Sequence, residues 1–582
     1  MKRLIVLIAL LQLGVITGAK ENFSRGVIMN NIISIFTLLT LLFSGVNSVV
    51  SQEWEAVYYS DEIFNGCDYL EAMELSNGYV LVSSLNYPLY VFDFPVDLSS
   101  VVHSTQPTLS LISPNGEELY RNVYFKYGLC ETTTPYLFEK NGEMYFLTSY
   151  SPDHDIDSEN YFKNYDSIPT ESIIGLYKLD EMLNVTEAYE HTYPIDTFEL
   201  RNEEWYALRN VYSGYIHIYS AFEDNGHITG VYSKMESASH EERHDSVFFF
   251  KMDFNGNFLL RKGYKAGCGT SIMACNRQQM VKNENGYAIY YRGCPDYHGI
   301  VEYYDNDFNY IAARDVLLPG DSSPLLTSGM LDIFSVMRSN HNTTYVCSDF
   351  KGPTEYFLND EIRLYEIDDD LNNSTELLPV VNYIERSTSQ HDRTAMRSMD
   401  MTKDGSIYFT YTLNCGFYDN NDSWIMIERL DSDFDTIATF FYNENAVFNK
   451  ATCITTTKDD GLLLVSYSYD LSNHDKRWSK VSKFPASAFG IDNIEEAHAH
   501  NLHLAVAYPN PGGDVMNIRT GLRNAVLTVY DIQGRKIHEQ EITDDVTSVD
   551  ASNWQSGTYI WKLGMRNEEL RMKEVESGKW VK

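Results

Sequence analysis

Positive charge is what this sequence has least of. Lys and Arg number 45 against 82 Asp and Glu, a formal net charge of −37. Nucleic acid and anionic membrane surfaces are bound through basic patches, so this balance argues against both as partners. An acidic surface of this kind keeps a protein soluble. Cysteine pairs of the metal-binding or redox kind are missing. The eight cysteines stand at 67, 130, 268, 275, 294, 347, 415 and 453, and none forms C-x-x-C. An even number permits disulfides in an oxidising compartment, and only Cys268 and Cys275 are close enough in sequence to suggest a local closure. There is no glycine-rich phosphate loop, no G-x-S-x-G elbow and no Cys–His arrangement. Long apolar runs are lacking too. Leu4 to Ile16 and Ile32 to Val50 are too short, or too interrupted by Asn, Gly, Ser and Thr, to read as membrane spans.

What is abundant points to β-structure. Aromatics make up 14% of the chain, with 43 Tyr, and such residues pack well on pleated surfaces. A hydrophobic share of 43% is enough to bury a core. At 582 residues the chain exceeds one ordinary core, so more than one domain is expected.

Residues 1–51 read as a signal region. The second apolar run ends Val49-Val50-Ser51 before Gln52, with small residues at the −3 and −1 positions of a cleavage site. Met29 reads as the true start, which makes 29–51 the signal peptide. No Cys follows the run, which argues against a lipoprotein anchor.

Residues 52–490 repeat. A polar–apolar strand, a Gly/Asn/Asp turn and an aromatic-rich strand recur, as in YLEAMELSNGYVLVSS and SMDMTKDGSIYFTYTL, and a second hairpin follows each. The first-hairpin turns fall near 78, 142, 214, 286, 342, 405 and 461. Two hairpins make a four-stranded unit, and seven such units make a β-propeller. Six blades with one unit misread, or an array of sandwiches, are the alternatives. The period exceeds that of common propeller repeats, so long connections are expected, Ser151 to Thr170 among them. The seventh unit lacks a good fourth strand, because Pro485 breaks the run. The N-terminal strand Glu53 to Tyr59 has no partner of its own and is expected to supply it, closing the ring and removing exposed edges.

Several residue groups invite a chemical reading. His240-Glu241-Glu242-Arg243-His244 spells H-E-x-x-H, which on a helix sets two zinc ligands on one face with Glu as general base. Here a strand, Val247 to Phe250, follows at once and no third ligand is evident, so a polar loop explains the residues equally well. Asp153, Asp155 and Asp157 alternate as in a calcium loop, but Ser158 and Asn164 stand where Gly and Glu belong. Calcium, if bound, is expected there, and an acidic loop is the plainer reading. The recurrent acidic segments, Asp305 to Asn309, Asp368 to Asn373 and Asp431 to Asp435, fit hairpin turns in which Asp caps its own backbone. Tyr290-Tyr291 and Tyr303-Tyr304 could line a sugar-binding face, with one ring of each pair expected in the core. His498, His500 and His503 lie in a polar connector, 491–506, where a metal site competes with plain solvation. Paired carboxylates for glycoside cleavage stay open, since only geometry would single them out.

The stretch 507–582 is a small β-module. Tyr508-Pro509-Asn510-Pro511 is a rigid turn. Val526 to Tyr530 is a strand that stops at Asp531-Ile532-Gln533-Gly534, and Thr558 to Lys562 is another, entered through Gly557. The end, Lys579-Trp580-Val581-Lys582, is basic. At these residues the chain resembles the C-terminal sorting domain, an Ig-like β-sandwich, of Bacteroidetes substrates of the type IX secretion system. The match rests on the YPNP turn, VYDIQGRKI, W-x-SGTYIWKL and the basic end, although SGKWVK replaces a more usual aliphatic final strand. The resemblance implies that Tyr508, Pro509, Asn510, Pro511, Asp531, Gly534, Gly557, Tyr559, Lys579 and Lys582 form the sorting signal. It further implies delivery through the periplasm to the outer-membrane surface or medium, with the secretion machinery and its sortase-like peptidase as partners. The propeller ahead of it is expected to be self-contained and to bind a glycan or protein, the alternative being an extracellular hydrolase of glycoside or peptide bonds. No catalytic residues and no cofactor are assigned.

Overall fold

In a computed structural model of the protein, the described residues are 54–59, 71–86, 106–124, 135–150, 171–194, 196–197, 212–213, 216–235, 245–265, 280–292, 299–316, 330–339, 343–351, 360–368, 377–378, 380–387, 392–415, 423–444, 446–489, 502–566 and 572–582. The signal region lies outside them. So do His240, His244, Asp153, Asp155, Asp157, His498, His500, the insertion 151–170 and most of the segment Asp368 to Asn373. No helix among the described residues is long and apolar enough to cross a membrane.

The chain is all-β, a seven-bladed propeller followed by a small β-sandwich. It opens with β1 (Trp54–Tyr59). Blade 1 comprises β2 (Glu71–Glu74), β3 (Val80–Asn86), β4 (Gln106–Ile112) and β5 (Glu118–Val123). Blade 2 comprises β6 (Tyr136–Lys140), β7 (Glu143–Tyr150), β8 (Glu171–Leu179) and β9 (Val185–Pro194). A two-stranded pair, β10 (Asp196–Thr197) with β11 (Tyr212–Ser213), leads into blade 3: β12 (Ile216–Asp224), β13 (His227–Met235), β14 (Asp245–Met252) and β15 (Phe258–Lys265). Blade 4 comprises β16 (Met280–Lys282), β17 (Gly286–Arg292), β18 (Gly299–Asp305) and β19 (Tyr310–Val316). Blade 5 comprises β20 (Met330–Arg338), β21 (Thr344–Lys351), β22 (Asp360–Ile367) and β24 (Val380–Ser387), and its short β23 (Leu377–Leu378) pairs in parallel with β19. Blade 6 comprises β25 (Arg393–Met401), β26 (Ile407–Leu413), β27 (Trp424–Leu430) and β28 (Thr436–Tyr442). Blade 7 comprises β29 (Val447–Thr456), β30 (Leu462–Asp470) and β31 (Asn473–Phe484), with β1 as its fourth strand.

The closure expected of the N-terminal strand is present in register: Trp54 opposes Lys483 and Tyr59 opposes Trp478. Lys480 of β31, nearly buried, lies 3.3 Å from Glu55 of β1 and also pairs with Glu444. Side chains from neighbouring blades share cores. Leu81 and Leu111 of blade 1 meet Phe146 and Tyr177 of blade 2. The same holds for blades 2 and 3, 3 and 4, 5 and 6, and 6 and 7. Trp54, Val465 and Val481 of blade 7 then meet Ala72, Val80 and Ile112 of blade 1, which closes the ring. A blade therefore has neighbours on both faces. For that reason Tyr303 and Tyr304 are both buried, as is Tyr290, and none of these three can line a sugar-binding surface.

The turn between third and fourth strands follows one local rule. Asp305 Oδ1 accepts from the N–H groups of Asp307 and Asn309 at 2.9 and 2.8 Å, and Asp431 Oδ1 accepts from Asp433 and Asp435 at 3.0 and 2.8 Å. These acidic segments are self-capping turns, as their place in the repeat predicts. The fourth turn position takes a left-handed backbone, and what stands there faces the preceding blade. In blades 2, 4 and 6 it is Leu183, Phe308 or Phe434, at φ 63°, 57° and 64°. Each is buried in the core shared with the blade before, Phe308 stacking 5.3 Å from Phe249. In blades 1 and 3 it is Gly116 or Gly256, and the preceding blade fills the space. A Cβ on Gly116 would fall 2.2 Å from that of Trp54, and one on Gly256 would fall 2.1 Å from that of Tyr189. Left-handed backbone costs an L-residue ~1–2 kcal/mol, which burial of a large apolar side chain, roughly 1.5–3 kcal/mol, offsets.

One expected turn is displaced. The turn read near 214 is not the first hairpin of the third unit. Ser213 ends β11, and β12 turns into β13 at Asn225-Gly226. The misleading segment LRNVYSGYIHIYSAF has the right composition, but it spans a connection followed by a single strand. The other six turns stand between first and second strands as expected.

The ends of the blades differ. The described first-to-second-strand connections, and the third-to-fourth ones of blades 1, 2, 3, 4 and 6, are tight turns. The longest connections, 87–105 and 151–170, join second to third strands, so the strand ends they link lie at the opposite end of the sheets.

Candidate functional site: the carboxyl-terminal module

After blade 7 the chain forms a short 3-10 turn, Ala486–Phe489, and then β32 (Leu502–His503), β33 (Ala505–Tyr508), β34 (Val515–Thr520), β35 (Ala525–Asp531), β36 (Lys536–Glu541), β37 (Val546–Asp550), β38 (Thr558–Arg566) and β39 (Met572–Val581). The sheets β33-β34-β37 and β36-β35-β38-β39 stack as a sandwich. Strand alternation sends Met516, Ile518, Leu527, Val529, Val549 and Leu563 inward, where they join Trp561 and Trp580.

The segments singled out from the sequence meet at one end of this sandwich. Asp531 opposes Tyr559 across β35 and β38, and Thr558 opposes Val581 across β38 and β39. The YPNP turn folds over the same end. Trp580, fully buried, donates its indole N–H to the Pro509 carbonyl at 2.7 Å. Asn510 is bidentate to the last strand: its Oδ1 accepts from Val581 N–H at 3.0 Å, and its Nδ2 donates to the Lys579 carbonyl at 3.0 Å. Gly512 N–H donates to the Val581 carbonyl at 2.7 Å. Lys582 pairs its backbone with Gly557. Its ammonium donates to the carbonyls of Ala551, Trp554 and Ser552 at 2.6, 3.0 and 3.1 Å, with Asp514 3.3 Å away. Tyr559 OH donates to the Gln555 carbonyl at 2.6 Å. Asp531 Oδ1 accepts from the N–H groups of Gln533 and Arg535 at 2.9 Å each, and Gly534 sits within that turn. Burial acts to raise the Asp531 carboxyl, but the donors from Arg535 and Gln533 hold it below its ordinary value.

The motif residues are thus held largely by main-chain hydrogen bonds, a rigid framework in which the Lys582 charge is spent on carbonyl oxygens. The sequence did not single out Trp580, Asp514 or Arg519. A Trp inside a basic tail was a signal for the first. For Arg519 the clue lay in its strand partner, because β33 reads Ala-Val-Ala-Tyr with no polar alternation, and a strand apolar on both faces is covered on both.

That second cover is blade 6. Ala505 and Ala507 point into the sandwich, while Val506 and Tyr508 pack against blade 6 residues that include Tyr411, Met426 and Phe441. Arg519 stacks 5.9 Å over the Tyr508 ring. His503, the one connector histidine among the described residues, sits in β32 beside Trp424, with Nδ1 3.5 Å from Glu576. Among the described residues no group of three or more His, Cys, Asp and Glu could hold a metal ion.

Comparison with known proteins bears on this module. Residues 506–575 match the family model described as the Secretion system C-terminal sorting domain. No curated protein sequence matches the chain. Solved structures give weak likenesses. One is PorZ, an essential bacterial surface component of the type-IX secretion system of Porphyromonas gingivalis, at 11% identity over 87% of this chain and 80% of that one, TM-score 0.21. Others are an alpha-L-arabinanase of Penicillium chrysogenum, 12% identical over 74% and 97%, TM-score 0.31, and a lignostilbene dioxygenase of Pseudomonas brassicacearum, 9% identical over 74% and 93%, TM-score 0.37. At these scores nothing of their chemistry carries over. The sandwich itself has an identity: the chain ends in a secretion system C-terminal sorting domain.

Proposed function

We propose that this protein is exported by the type IX secretion system, and that its propeller acts outside the cell as a binding module for a glycan or a protein. The observation that carries the export reading is the match over 506–575, together with the convergence of YPNP, Gly557, Tyr559 and the Lys579–Lys582 end on one rigid edge. The binding reading is supported by the asymmetry of the blades. One end is drawn tight by short turns, and the opposite end receives the long connections, the usual place for recognition on a rigid scaffold. Fold alone does not assign an activity.

Two measurements test it. In a type IX-competent bacterium, the full chain is expected in the medium or on the cell surface. Deleting 507–582 is expected to trap it in the periplasm, and surface delivery of the truncated chain refutes the export reading. Purified exported protein is then screened on a glycan array and against surface proteins. Saturable binding without turnover supports the module. Cleavage of a polysaccharide or peptide would make the protein a hydrolase instead.

A further inference from the structure

We propose that blade 6 is a receptor surface for the chain's own segment 502–582, and that the two remain together as a non-covalent complex once the connector between them is cut. The inference rests on contacts among described residues and does not depend on export or on a propeller ligand.

The first kind of contact is strand addition. β32 extends blade 6 as a fifth strand, with Phe441 opposite His503 and Tyr442 opposite Leu502. The chain then passes into the sandwich without leaving cover, and Leu504, Ala505, Val506 and Ala507 are all buried. Leu504 N–H donates to Glu576 at 2.8 Å, and Thr520 OH donates to the Leu504 carbonyl at 2.7 Å. Main-chain pairing of this type supplies affinity that does not require a covalent tether.

The second kind is a shared interior. One hydrophobic cluster contains Phe440 and Tyr442 of blade 6 together with Ile518, Leu522 and Leu527 of the sandwich. Gly521 approaches blade 6 so closely that a Cβ there would lie 2.8 Å from the Thr439 hydroxyl. Arg519 anchors the polar part. Burial opposes its charge, and Tyr411, Tyr508, Asp392 and Glu428 more than offset that, three of the four belonging to the blade 6 side. Asp392 and Glu428 are buried, so truncating Arg519 would leave two carboxylates inside the assembled interface without their cation. With such an interface the connector adds effective concentration rather than the attraction itself.

The test uses the full chain. A site for a sequence-specific protease is inserted within 491–500, the purified protein is cut, and the products are run on size exclusion at low micromolar concentration. The expected result is one folded species containing both pieces, which separate only in denaturant. Separation of two folded pieces at micromolar concentration overturns the proposal. In the cut protein, Arg519→Ala is expected to weaken retention by ten-fold or more, on the order of the loss when one partner of a buried charge pair is removed. Should that variant leave the sandwich unfolded, Gly521→Ala probes the same face through its contact with Thr439, with faster dissociation expected. Retention as tight as wild type in a folded variant of both kinds refutes the assigned surface.

Discussion

Replacing Trp54 with Ala tests ring closure directly. Trp54 belongs to the strand that completes blade 7, yet its ring is buried in the core shared with blade 1. A buried Trp removes roughly 200 Å² from water. At ~25 cal/mol per Å² that is about 5 kcal/mol as an upper bound, and Trp→Ala truncations in cores cost about 3–5 kcal/mol. Trp54→Ala should therefore lower the free energy of unfolding by about 3–5 kcal/mol, read as a fall in the denaturation midpoint. The socket opposite sharpens the test. A Cβ on Gly116 would fall 2.2 Å from the Trp54 Cβ and 2.4 Å from its Cγ, and Gly116 is at φ 84°. Gly116→Ala should destabilise on its own. Trp54→Ala should not rescue it, because the Cβ clash persists; Trp54→Gly should rescue it in part. The same substitutions loosen β1 and expose the edge of β31, so light scattering should show association. A shift below about 1 kcal/mol for Trp54→Ala, with Gly116→Ala silent, would refute closure by this strand.

Three further outcomes follow from the geometry. At Phe434, whose φ is 64°, the usual order of severity should invert: Gly should be tolerated better than Ala by ~1 kcal/mol, because both lose the ring but only Gly is at ease in that backbone. Asp404 is held down to about 2, through hydrogen bonds from Thr402 and Ser406 and the nearby Arg429. A carboxyl depressed on folding stabilises above its unfolded value near 4 and loses that contribution as pH falls through about 2, so the wild-type advantage over Asp404→Asn in urea midpoint should be full at pH 6 and fade between roughly pH 4 and 2. Lys582→Met should leave three carbonyls without their donor and lower the sandwich's thermal midpoint, costing about 1–3 kcal/mol; an unchanged midpoint would mean the ammonium cage is dispensable.

The parts of this fold that were legible are those specified locally. Gly, Asn and Asp clustered between two β-rich runs declare a hairpin, and Asp at the start of a turn caps its own backbone, so six of seven first turns and the acidic third-to-fourth turns are legible. The closing strand was legible because Pro485 ends one strand and Trp54 to Tyr59 has nothing nearby to pair with. What depends on neighbours was not. Phe308 and Phe434 sit in backbone that propensity reserves for Gly, and only the core of the adjacent blade explains them. Tyr303 and Tyr304 are both buried because a propeller blade is covered on two faces, which alternation along a single strand cannot reveal. At the sandwich, the motif residues were visible as motifs, but their hold on Trp580 and Lys582, and the burial of Arg519 against blade 6, arise from pairings between residues far apart in the chain.

The turn residues also make the blades non-interchangeable. Leu183, Phe308 and Phe434 enter the core of the blade before, whereas Gly116 and Gly256 make room for Trp54 and Tyr189. Grafting the Leu183 turn of blade 2 onto blade 3 would drive a side chain into Tyr189, so blades could be exchanged only together with the neighbour they face. Blade 7 has no such turn, since its third and fourth strands come from opposite ends of the propeller segment. A circular permutant that joined Phe484 to Trp54 would have to supply one.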